Sequence, residues 1–377
     1  MTFLVYGANG YTGRLIAERA HRTGLRPILA GRRAESVRPI AEQYGFEHRV
    51  FSLESPTQIA RALDGIGAVL LAAGPFSATS GPMLDACIMA GVHYLDITGE
   101  IAVFEQCFAH HARAANAGVV VLPGVGFDVV PSDCLAATLA ASLPGARSLE
   151  LAFCSVGGRG ARISRGTAKS MLEGIGEGGA VRENGRIARV PLGWRRRRIP
   201  FRDRDREAVS IPWGDVATAY HSTGIPDIVV YTAMPPRQIR AMKVAHLLAP
   251  LVRIPGVRSL LRRRIDRGSA GPDDESRRVG QSQLWGCVTD AAGRSVEGTL
   301  VTPEGYRLTA ETAVESARRV LAGGVKPGFR TPSLAFGASY ITEFDGCDLV
   351  AQRVGHESAP IDEPIAASPR QATSTRR

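Results

Sequence analysis

The chain begins with short apolar runs that alternate with longer segments whose apolar residues recur every three or four positions. The short runs have the length and β-branched content of strands, and they cover residues 2–6, 27–30, 49–53, 68–72, 92–97 and 119–122. The helical spacing covers residues 14–22, 34–44, 56–63, 82–90 and 102–116. Strands that alternate with helices at this interval predict a parallel, doubly wound sheet.

The pattern changes after residue 124. One more helix is predicted at 131–143, because Pro131 starts it and Asp133 lies in the first turn, where a carboxylate favours the exposed N–H groups. Stretches with alternating apolar and polar residues then predict strands at 148–156, 217–221, 227–232, 281–289 and 295–302. A late helix is predicted at 307–321, and the polar residues 358–377 predict a disordered tail.

These patterns predict two domains of α/β class. An N-terminal Rossmann domain with a doubly wound parallel sheet is expected at 1–130, and a second α/β domain on a mixed or antiparallel sheet at 131–354, where substrate would bind. The last segment of the second domain could return to the Rossmann domain, and residues 355–377 would form the tail. The length of 377 residues and the hydrophobic content of 44% are ordinary for globular domains with their own cores.

Several other protein classes lack a basis in the sequence. The six cysteines form no CxxC pair, so neither a disulfide framework nor a metal site is predicted, and a reduced, cytoplasmic compartment fits best. An apolar strand begins at Thr2, and glycines and prolines break the longest charge-free run, at 65–84, so neither a signal peptide nor a spanning helix is predicted. No GxSxG, HExxH, EF-hand or Walker motif occurs.

A glycine-rich loop follows the first predicted strand and precedes the first predicted helix. Its sequence is GANGYTG, and its candidate cofactor-binding residues are Gly7, Asn9, Gly10, Tyr11, Thr12 and Gly13. Glycines at this point allow a tight turn and a close approach of the backbone to a pyrophosphate, and the helix N-terminus supplies N–H donors. Because strand, loop, helix and second strand follow in order, the sequence predicts a dinucleotide site.

The residues after the second strand favour NADP(H). Dinucleotide folds that prefer NAD(H) place Asp or Glu here for the ribose hydroxyls, whereas this chain has Arg32 and Arg33 and no carboxylate before Glu35. Two cations suit a 2′-phosphate, so both arginines are predicted to contact the cofactor.

Three further loops should meet at the carboxyl ends of the parallel strands. Small residues after the fourth strand, namely Ala73, Gly74 and Pro75, are predicted to lie beside the cofactor. Asp96 and Glu100 follow the fifth strand and Asp128 follows the sixth, so their carboxylates should converge where a substrate meets the nicotinamide. Helix capping is the competing role for each.

The histidines are scattered, and one of them is a candidate proton donor. His221, at the end of a predicted strand and before Ser222-Thr223-Gly224, is the histidine that we expect in this role. Tyr306 is a second candidate.

The motifs together resemble the saccharopine dehydrogenase and saccharopine reductase-like NADP-binding oxidoreductases. The likeness is carried by GANGYTG at 7–13, AGPF at 73–76, YLDITGE at 94–100, PGVGFDVVPSD at 123–133 and GFRTPSLAFG at 328–337. RGTAKSMLEGI at 165–175 and GDVATAYHSTGIPDI at 214–228 are more similar to the branch that includes trans-acting enoyl reductases of actinobacterial lipid synthesis. The resemblance implies a Rossmann domain, a second domain with a mixed sheet, and cofactor contacts at Gly7, Gly10, Gly13 and Arg32.

Our first hypothesis is an NADPH-dependent oxidoreductase in which Asp128 and Glu100 position the substrate and His221 or Tyr306 supplies a proton. The substrate would be a small or lipid-linked molecule with an enoyl or keto group, or an amino-acid adduct of saccharopine type. The alternative from another class is a non-catalytic NADP(H)-binding scaffold or sensor at a membrane surface.

Positive charge is concentrated in the middle of the chain. Residues 151–271 carry 23 Lys or Arg against 9 Asp or Glu, while the rest carries 23 against 27. Residues 237–267 combine nine basic residues with an apolar stripe, which favours peripheral contact with an anionic membrane, although such a stripe also suits packing within its own domain. The expected location is therefore cytoplasmic or peripheral at the inner face of the membrane. The basic stretches lack interleaved aromatic residues, so nucleic-acid binding is not predicted.

Overall fold

The computed structural model describes residues 2–157, 163–174, 178–247 and 255–354. The predicted tail at 355–377 lies outside the described residues. Among the described helices, none is long and apolar enough to span a bilayer.

The first sheet has seven parallel strands and carries the glycine-rich loop. Its strands are β1 (Thr2–Tyr6), β2 (Ile28–Gly31), β3 (His48–Val50), β4 (Ile66–Leu71), β5 (His93–Asp96), β6 (Val120–Leu122) and β15 (Gly328–Phe329), in the order β15-β6-β5-β4-β1-β2-β3. Its connecting helices are α1 (Tyr11–Arg22), α2 (Ala34–Tyr44), α3 (Pro56–Ala62), α4 (Phe76–Ala90), α5 (Ile101–Ala109) and α6 (His111–Asn116). The predicted doubly wound sheet is confirmed, and the strand order reverses beside β1, where a ligand crevice forms.

Two predicted helices beside the first sheet differ most from their expected bounds. The helix predicted from residue 82 begins six residues earlier, at Phe76, so Pro82 lies inside α4. Pro82 resembles a helix start in the sequence because proline favours the first turn, but here it is tolerated within the helix. The helix predicted at 102–116 is divided at His110 into α5 and α6.

The second sheet is mixed, as predicted. Its strands are β7 (Ala146–Val156), β8 (Gly179–Glu183), β9 (Arg186–Val190), β10 (Arg196–Pro200), β11 (Asp205–Ser210), β12 (Asp227–Ala233), β13 (Gln281–Asp290), β14 (Ser295–Pro303) and β16 (Asp348–Val354). The order is β10-β11-β12-β7-β13-β14-β16, with β8 on β12 and β9 on β8. Strands β7 and β12 are parallel and the other pairs are antiparallel.

Helices surround this sheet and connect it to the first one. They are α7 (Val130–Ser142), α8 (Arg165–Gly174), α9 (Asp215–Thr223), α10 (Pro236–Leu247), α11 (Pro255–Asp266), α12 (Asp274–Val279), α13 (Gly305–Ala322) and α14 (Pro332–Phe336), followed by a 3-10 helix (Ala338–Glu343). Helix α13 packs against α1 of the first layer. The Thr312 hydroxyl on α13 also donates to the carbonyl of Val125, 2.8 Å away.

Helix α7 packs on the second sheet because two facing glycines make room for it. Gly286 of β13 and Gly298 of β14 are paired in register. A Cβ on Gly286 would lie 2.8 Å from Leu139 of α7, and one on Gly298 would lie 3.1 Å from the same side chain. The glycines therefore let Leu139 approach the strands at distances that any larger residue would prevent.

The strand predicted at 217–221 is wrong, since these residues belong to α9. Gly214 precedes the helix and Gly224 ends it with φ of +72°, a left-handed conformation that glycine adopts at helix ends. The sequence Ala-Thr-Ala alternates over too few positions to separate a strand from a helix.

Strands β8 to β11 were not predicted, because arginines interrupt their apolar pattern. Arg197 of β10 pairs with Glu150 of β7, and its guanidinium lies 5.0 Å from the ring centre of Trp285. Arg202 pairs with Asp348 of β16. Part of the central positive charge is therefore neutralised by carboxylates from distant strands of the sheet.

Candidate active site at the dinucleotide crevice

The glycine-rich loop has no space for larger side chains. Gly7 directly follows β1 with φ of +92°, and a Cβ there would lie 2.8 Å from the Cβ of Ala73. A Cβ on Gly13 would lie 2.3 Å from the carbonyl oxygen of Gly7. Gly10 precedes α1 without a side-chain cap, so the first amides of this helix are not used by a capping oxygen.

The other loop residues occupy the start of α1. Asn9 is exposed, and its side-chain oxygen lies 3.4 Å from the position that a Cβ on Gly31 would take, at the end of β2. Tyr11 and Thr12 are partly buried in the first turn of the helix. The structure thus brings the Asn9 side chain to the end of β2.

Arg32 and Arg33 differ in their surroundings. Both side chains are exposed after β2. The guanidinium of Arg33 lies 3.7 Å from the carboxylate of Glu35, whereas Arg32 has no ion pair among the described residues. Arg32 is close enough to Tyr6 to oppose the effect of burial, which raises the pKa of the Tyr6 hydroxyl to about 12. Arg32 is thus the better placed of the two for a phosphate.

The loop after β4 is held by Glu100. The two carboxylate oxygens of Glu100 accept hydrogen bonds from the backbone N–H groups of Phe76 and Ser77, at 2.9 and 2.8 Å. These amides begin α4, directly after Ala73, Gly74 and Pro75. Glu100 therefore fixes the start of α4 from the next loop, which is the capping role that competed with substrate contact in the sequence.

Asp96 is a buried structural group. Its carboxylate accepts hydrogen bonds from the Tyr94 hydroxyl at 2.6 Å, from the Thr98 N–H at 3.0 Å and from the Gly124 N–H at 2.9 Å. Burial raises the pKa of the Asp96 carboxyl to about 6, and these three bonds oppose the rise. The side chain joins the loops that follow β5 and β6, and both of its carboxylate oxygens accept hydrogen bonds within the protein.

Asp128 differs from the other two carboxylates because its side chain is unpartnered. It lies against Gly99, where a Cβ would come within 3.1 Å of its Oδ2 atom. Trp213 holds its backbone, since the indole N–H donates to the Asp128 carbonyl at 2.9 Å. Among the described residues the carboxyl itself has no hydrogen bond or ion pair. Burial raises the pKa of Asp128 to about 6.

Tyr306, at the start of α13, contacts residues at the start of α8 and Tyr11 in the first turn of α1. Its hydroxyl accepts a hydrogen bond from the Ser164 N–H at 2.7 Å and lies 2.9 Å from the Thr167 hydroxyl. Its ring meets that of Tyr11 edge to face, with 5.1 Å between the ring centres. Burial raises the pKa of Tyr306, and the negative charge of Asp128 adds to the rise.

Helix α8 covers part of the crevice, and the sequence did not predict its position. The Ser170 hydroxyl donates to Glu100 at 3.3 Å and lies 3.6 Å from the position that a Cβ on Gly74 would take. Thr167, one turn earlier, contacts Tyr306. The only signal for this helix was its likeness to the related branch, because no spacing rule links residue 170 to residues 74 and 100.

The structure does not bring His221 together with Asp128 and Glu100. The His221 ring stacks on Phe108 with 4.1 Å between the centres, and its Nε2 atom lies 3.2 Å from Glu105. Phe108 follows Glu100 by eight residues along α5, a rise of about 12 Å. His221 therefore belongs to a cluster at the other end of that helix, where Arg182 also contacts Glu105 at 3.2 Å.

The residues at the crevice fit a dinucleotide. A Cβ would fill the space at Gly7 and at Gly13, the start of α1 has no capping side chain, and Arg32 is an exposed cation at the end of β2. Gly7, Gly10 and Gly13 would hold the pyrophosphate, and Arg32 a 2′-phosphate. The end with Ala73, Gly74 and Pro75 would be left for the nicotinamide.

Comparisons with known proteins agree with this geometry. Residues 3–122 match the saccharopine dehydrogenase NADP binding domain. A candidate trans-acting enoyl reductase of Mycobacterium tuberculosis is 33% identical over 180 residues, which cover 45% of this chain and 43% of that protein. The trans-acting enoyl reductase of Mycobacterium leprae is 31% identical over 138 residues, 34% of this chain and 33% of that protein. The chain thus spans less than half the length of these relatives.

One solved structure is similar over almost the whole chain. The apo saccharopine dehydrogenase (L-Glu forming) of Saccharomyces cerevisiae covers 94% of this chain and 100% of its own, with a TM-score of 0.64 and 11% sequence identity. At this identity the match establishes the fold and nothing finer. The predicted resemblance and the NADP(H) cofactor are therefore confirmed: residues 3–122 match the saccharopine dehydrogenase NADP binding domain, and the chain has a fold like that of saccharopine dehydrogenase.

Proposed function

We propose that the protein is an NADPH-dependent oxidoreductase that reduces an enoyl or keto group on a lipid-linked substrate. The observation that carries the proposal is the unpartnered carboxyl of Asp128, which lies against Gly99 at the carboxyl ends of the parallel strands. Relatives named as trans-acting enoyl reductases support an enoyl substrate. The likeness to saccharopine dehydrogenase supports the fold alone, so an amino-acid adduct is the less favoured substrate.

A side chain of the protein would donate the proton that the reduction requires. When bound, NADPH supplies the hydride. Because the pKa of Asp128 is raised to about 6, part of its carboxyl population holds a proton near neutral pH. That proton would pass to the α-carbon of an enoyl group that has gained hydride at the β-carbon, or to the oxygen of a reduced keto group. Asp128 would then recover a proton from water.

Other side chains would position the reacting parts. Glu100 holds the N-terminus of α4 and so fixes Ala73 to Pro75 beside the cofactor. Tyr306 is held by Ser164 and Thr167, and its hydroxyl is a second candidate donor at the same crevice. His221, in contact with Glu105 and Phe108, has no part in this mechanism.

The test is NADPH consumption with three substrate classes: a long-chain trans-2-enoyl thioester, a β-keto thioester, and an α-keto acid with an amino acid. We expect the enoyl or the keto thioester to be reduced. Asp128→Asn should lower turnover at least about 100-fold while NADPH binding is kept, because proton transfer by a placed acid contributes about that much or more. Asp64→Asn, on an exposed turn, is the matched control and should leave turnover unchanged.

Three outcomes would contradict the proposal. Full turnover in Asp128→Asn would remove Asp128 from the mechanism. Reduction of the α-keto acid adduct alone would move the protein to saccharopine-type chemistry. NADPH binding without consumption of any substrate would favour the scaffold or sensor alternative.

A further inference from the structure

The outer side of helix α11 combines one leucine with three arginines. Leu260, Arg263, Arg264 and Arg267 follow one another at intervals of three, one and three residues, so their side chains lie on one side of the helix and just beyond its end. Leu260 is 67% exposed, and the three arginines are exposed as well. We call these four residues the α11 face. On the other side of the helix, Val257, Leu261 and Ile265 are partly buried.

The arginines of the α11 face differ from those of the second sheet. Arg197 and Arg206 pair with Glu150 and Asp203. Within the described part of the chain, Arg263, Arg264 and Arg267 have no carboxylate partner. The Asp266 side chain is engaged by Lys169 at 2.6 Å.

The helix dipole does not account for the α11 face by itself. Cations in the last turn of a helix are favoured by the partial negative charge of the C-terminus, which explains Arg263 and Arg264. It gives no reason for a leucine to be exposed among them. A large apolar side chain surrounded by cations suits contact with an anionic, partly apolar surface, as in amphipathic helices that lie at membrane interfaces.

Helix α11 is connected to the dinucleotide crevice through α8. Helix α8 packs against α11, and the Lys169–Asp266 ion pair joins the two. The next residue of α8, Ser170, contacts Glu100 in the crevice. Met171 follows and is 58% exposed, which adds a second apolar side chain on the same helix pair.

We propose that the α11 face docks the protein on an anionic lipid surface. Guanidinium groups bind phosphate oxygens with two parallel hydrogen bonds, and each arginine near such a surface adds to the attraction. Leu260 would enter the boundary between headgroups and acyl chains. One leucine among the arginines of the α11 face gives a folded protein partner little shape to recognise, whereas a bilayer accepts it without a complementary pocket, so the observations favour lipid over an acidic protein. The inference does not depend on the reductase assignment, because docking requires neither cofactor nor turnover.

The experiment is co-sedimentation of the full chain with phosphatidylglycerol vesicles, with phosphatidylcholine vesicles as the neutral comparison. We expect binding to the anionic vesicles alone. The triple variant Arg263→Gln, Arg264→Gln and Arg267→Gln should lower the partition coefficient at least tenfold. The control triple variant Arg22→Gln, Arg38→Gln and Arg61→Gln changes net charge equally on exposed positions of the first domain and should bind like the parent.

A second measurement tests the leucine and does not depend on charge. In Leu260→Trp, tryptophan emission should shift to shorter wavelength on anionic vesicles, relative to the same titration of the parent chain. Absence of vesicle binding, an equal loss in both triple variants, or no emission shift would overturn the proposal. Binding of soluble poly-glutamate that matches or exceeds binding to vesicles would assign the α11 face to an acidic protein instead.

Discussion

The guanidinium of Arg277 donates a 2.7 Å hydrogen bond to the hydroxyl of Tyr11, although the two residues are 266 positions apart in the chain. The Tyr11 hydroxyl in turn donates to the carbonyl of Pro272 at 2.6 Å. A Cβ on Gly271 would lie 2.7 Å from the Tyr11 ring, so the backbone passes directly over it. The first turn after the glycine-rich loop is thereby tied to the segment that leads into α12.

Tyr11→Phe should loosen this connection. The change removes one of two donors to the Pro272 carbonyl, which also accepts from Arg277 at 2.9 Å, and it leaves Arg277 without one acceptor. A hydrogen bond of this kind contributes about 0.5–1.5 kcal/mol. We expect the free energy of unfolding to fall by about 1 kcal/mol and the Kd for NADPH to rise severalfold. Denaturant unfolding and fluorescence titration measure both. Tyr44→Phe, whose hydroxyl lies near the end of α2, is the control, and equal effects of the two changes would contradict the prediction.

Arg32→Ala should weaken NADPH binding and leave NADH binding nearly unchanged. A charge-assisted bond to the 2′-phosphate contributes about 1.5–3 kcal/mol, which corresponds to a rise of about 10- to 150-fold in Kd. Arg33→Ala should have a smaller effect, because Arg33 lies beside Glu35 at 3.7 Å. Titration of each variant with both cofactors measures the ratio. If the parent binds NADPH and NADH equally, Arg32 has no role in selectivity.

Glu100→Gln should destabilise the fold. The carboxylate accepts the N–H groups of Phe76 and Ser77, while a glutamine has one acceptor oxygen and places an N–H₂ group against the other amide. We expect a loss of about 1–2 kcal/mol in the free energy of unfolding. Glu35→Gln, at an exposed position in α2, should cost much less. Unchanged stability together with lost turnover would indicate that Glu100 contacts the substrate and does not stabilise the start of α4.

The stability of the Asp215→Asn variant, relative to that of the parent chain, should increase as pH rises. Asp215 is fully buried in the first turn of α9, and neither carboxylate oxygen has a hydrogen-bond partner among the described residues. Burial holds the pKa of Asp215 well above its ordinary value of 3.8. The folded state therefore binds a proton that the unfolded state releases, so this contribution to stability is complete below pH 3.8 and is lost as pH rises toward the folded pKa.

Thermal unfolding of both chains at pH 5 and pH 7.5 checks this prediction. The melting temperature of Asp215→Asn, measured relative to that of the parent, should be higher at pH 7.5 than at pH 5. Asp96 and Asp128, whose pKa values are also raised, are present in both chains, so their contributions cancel to first order. A difference that does not change with pH would mean that Asp215 titrates alike in the folded and unfolded states.

The first sheet could be predicted from the sequence because its signals are local. Helix α2 was predicted with its observed bounds, since its apolar residues recur at helical spacing and Gly45 ends it in the left-handed conformation. Strand β10 was missed because its three consecutive arginines become compatible with a sheet only when Glu150 and Glu207 pair with them.

The candidate site, like the fold, could be predicted where its signals are local and not where they depend on distant residues. The glycine-rich loop and Arg32 lie where strand and helix order placed them. The roles of Glu100 and α8 depend on contacts between residues 23 to 142 positions apart, which no local pattern encodes. His221 was selected by its residue type, and its ring packs instead with Phe108.

The glycine pair beneath α7 determines how β13 and β14 can align during folding. In the observed register, Gly286 faces Gly298, and both lie under Leu139. A slip of one residue would turn a neighbour such as Trp285 or Cys287 toward the helix, where there is space for a hydrogen atom only. Helix α7 therefore cannot pack on β13 and β14 when the two strands are misaligned. We expect the alignment of the strands and the packing of the helix to occur as one cooperative event.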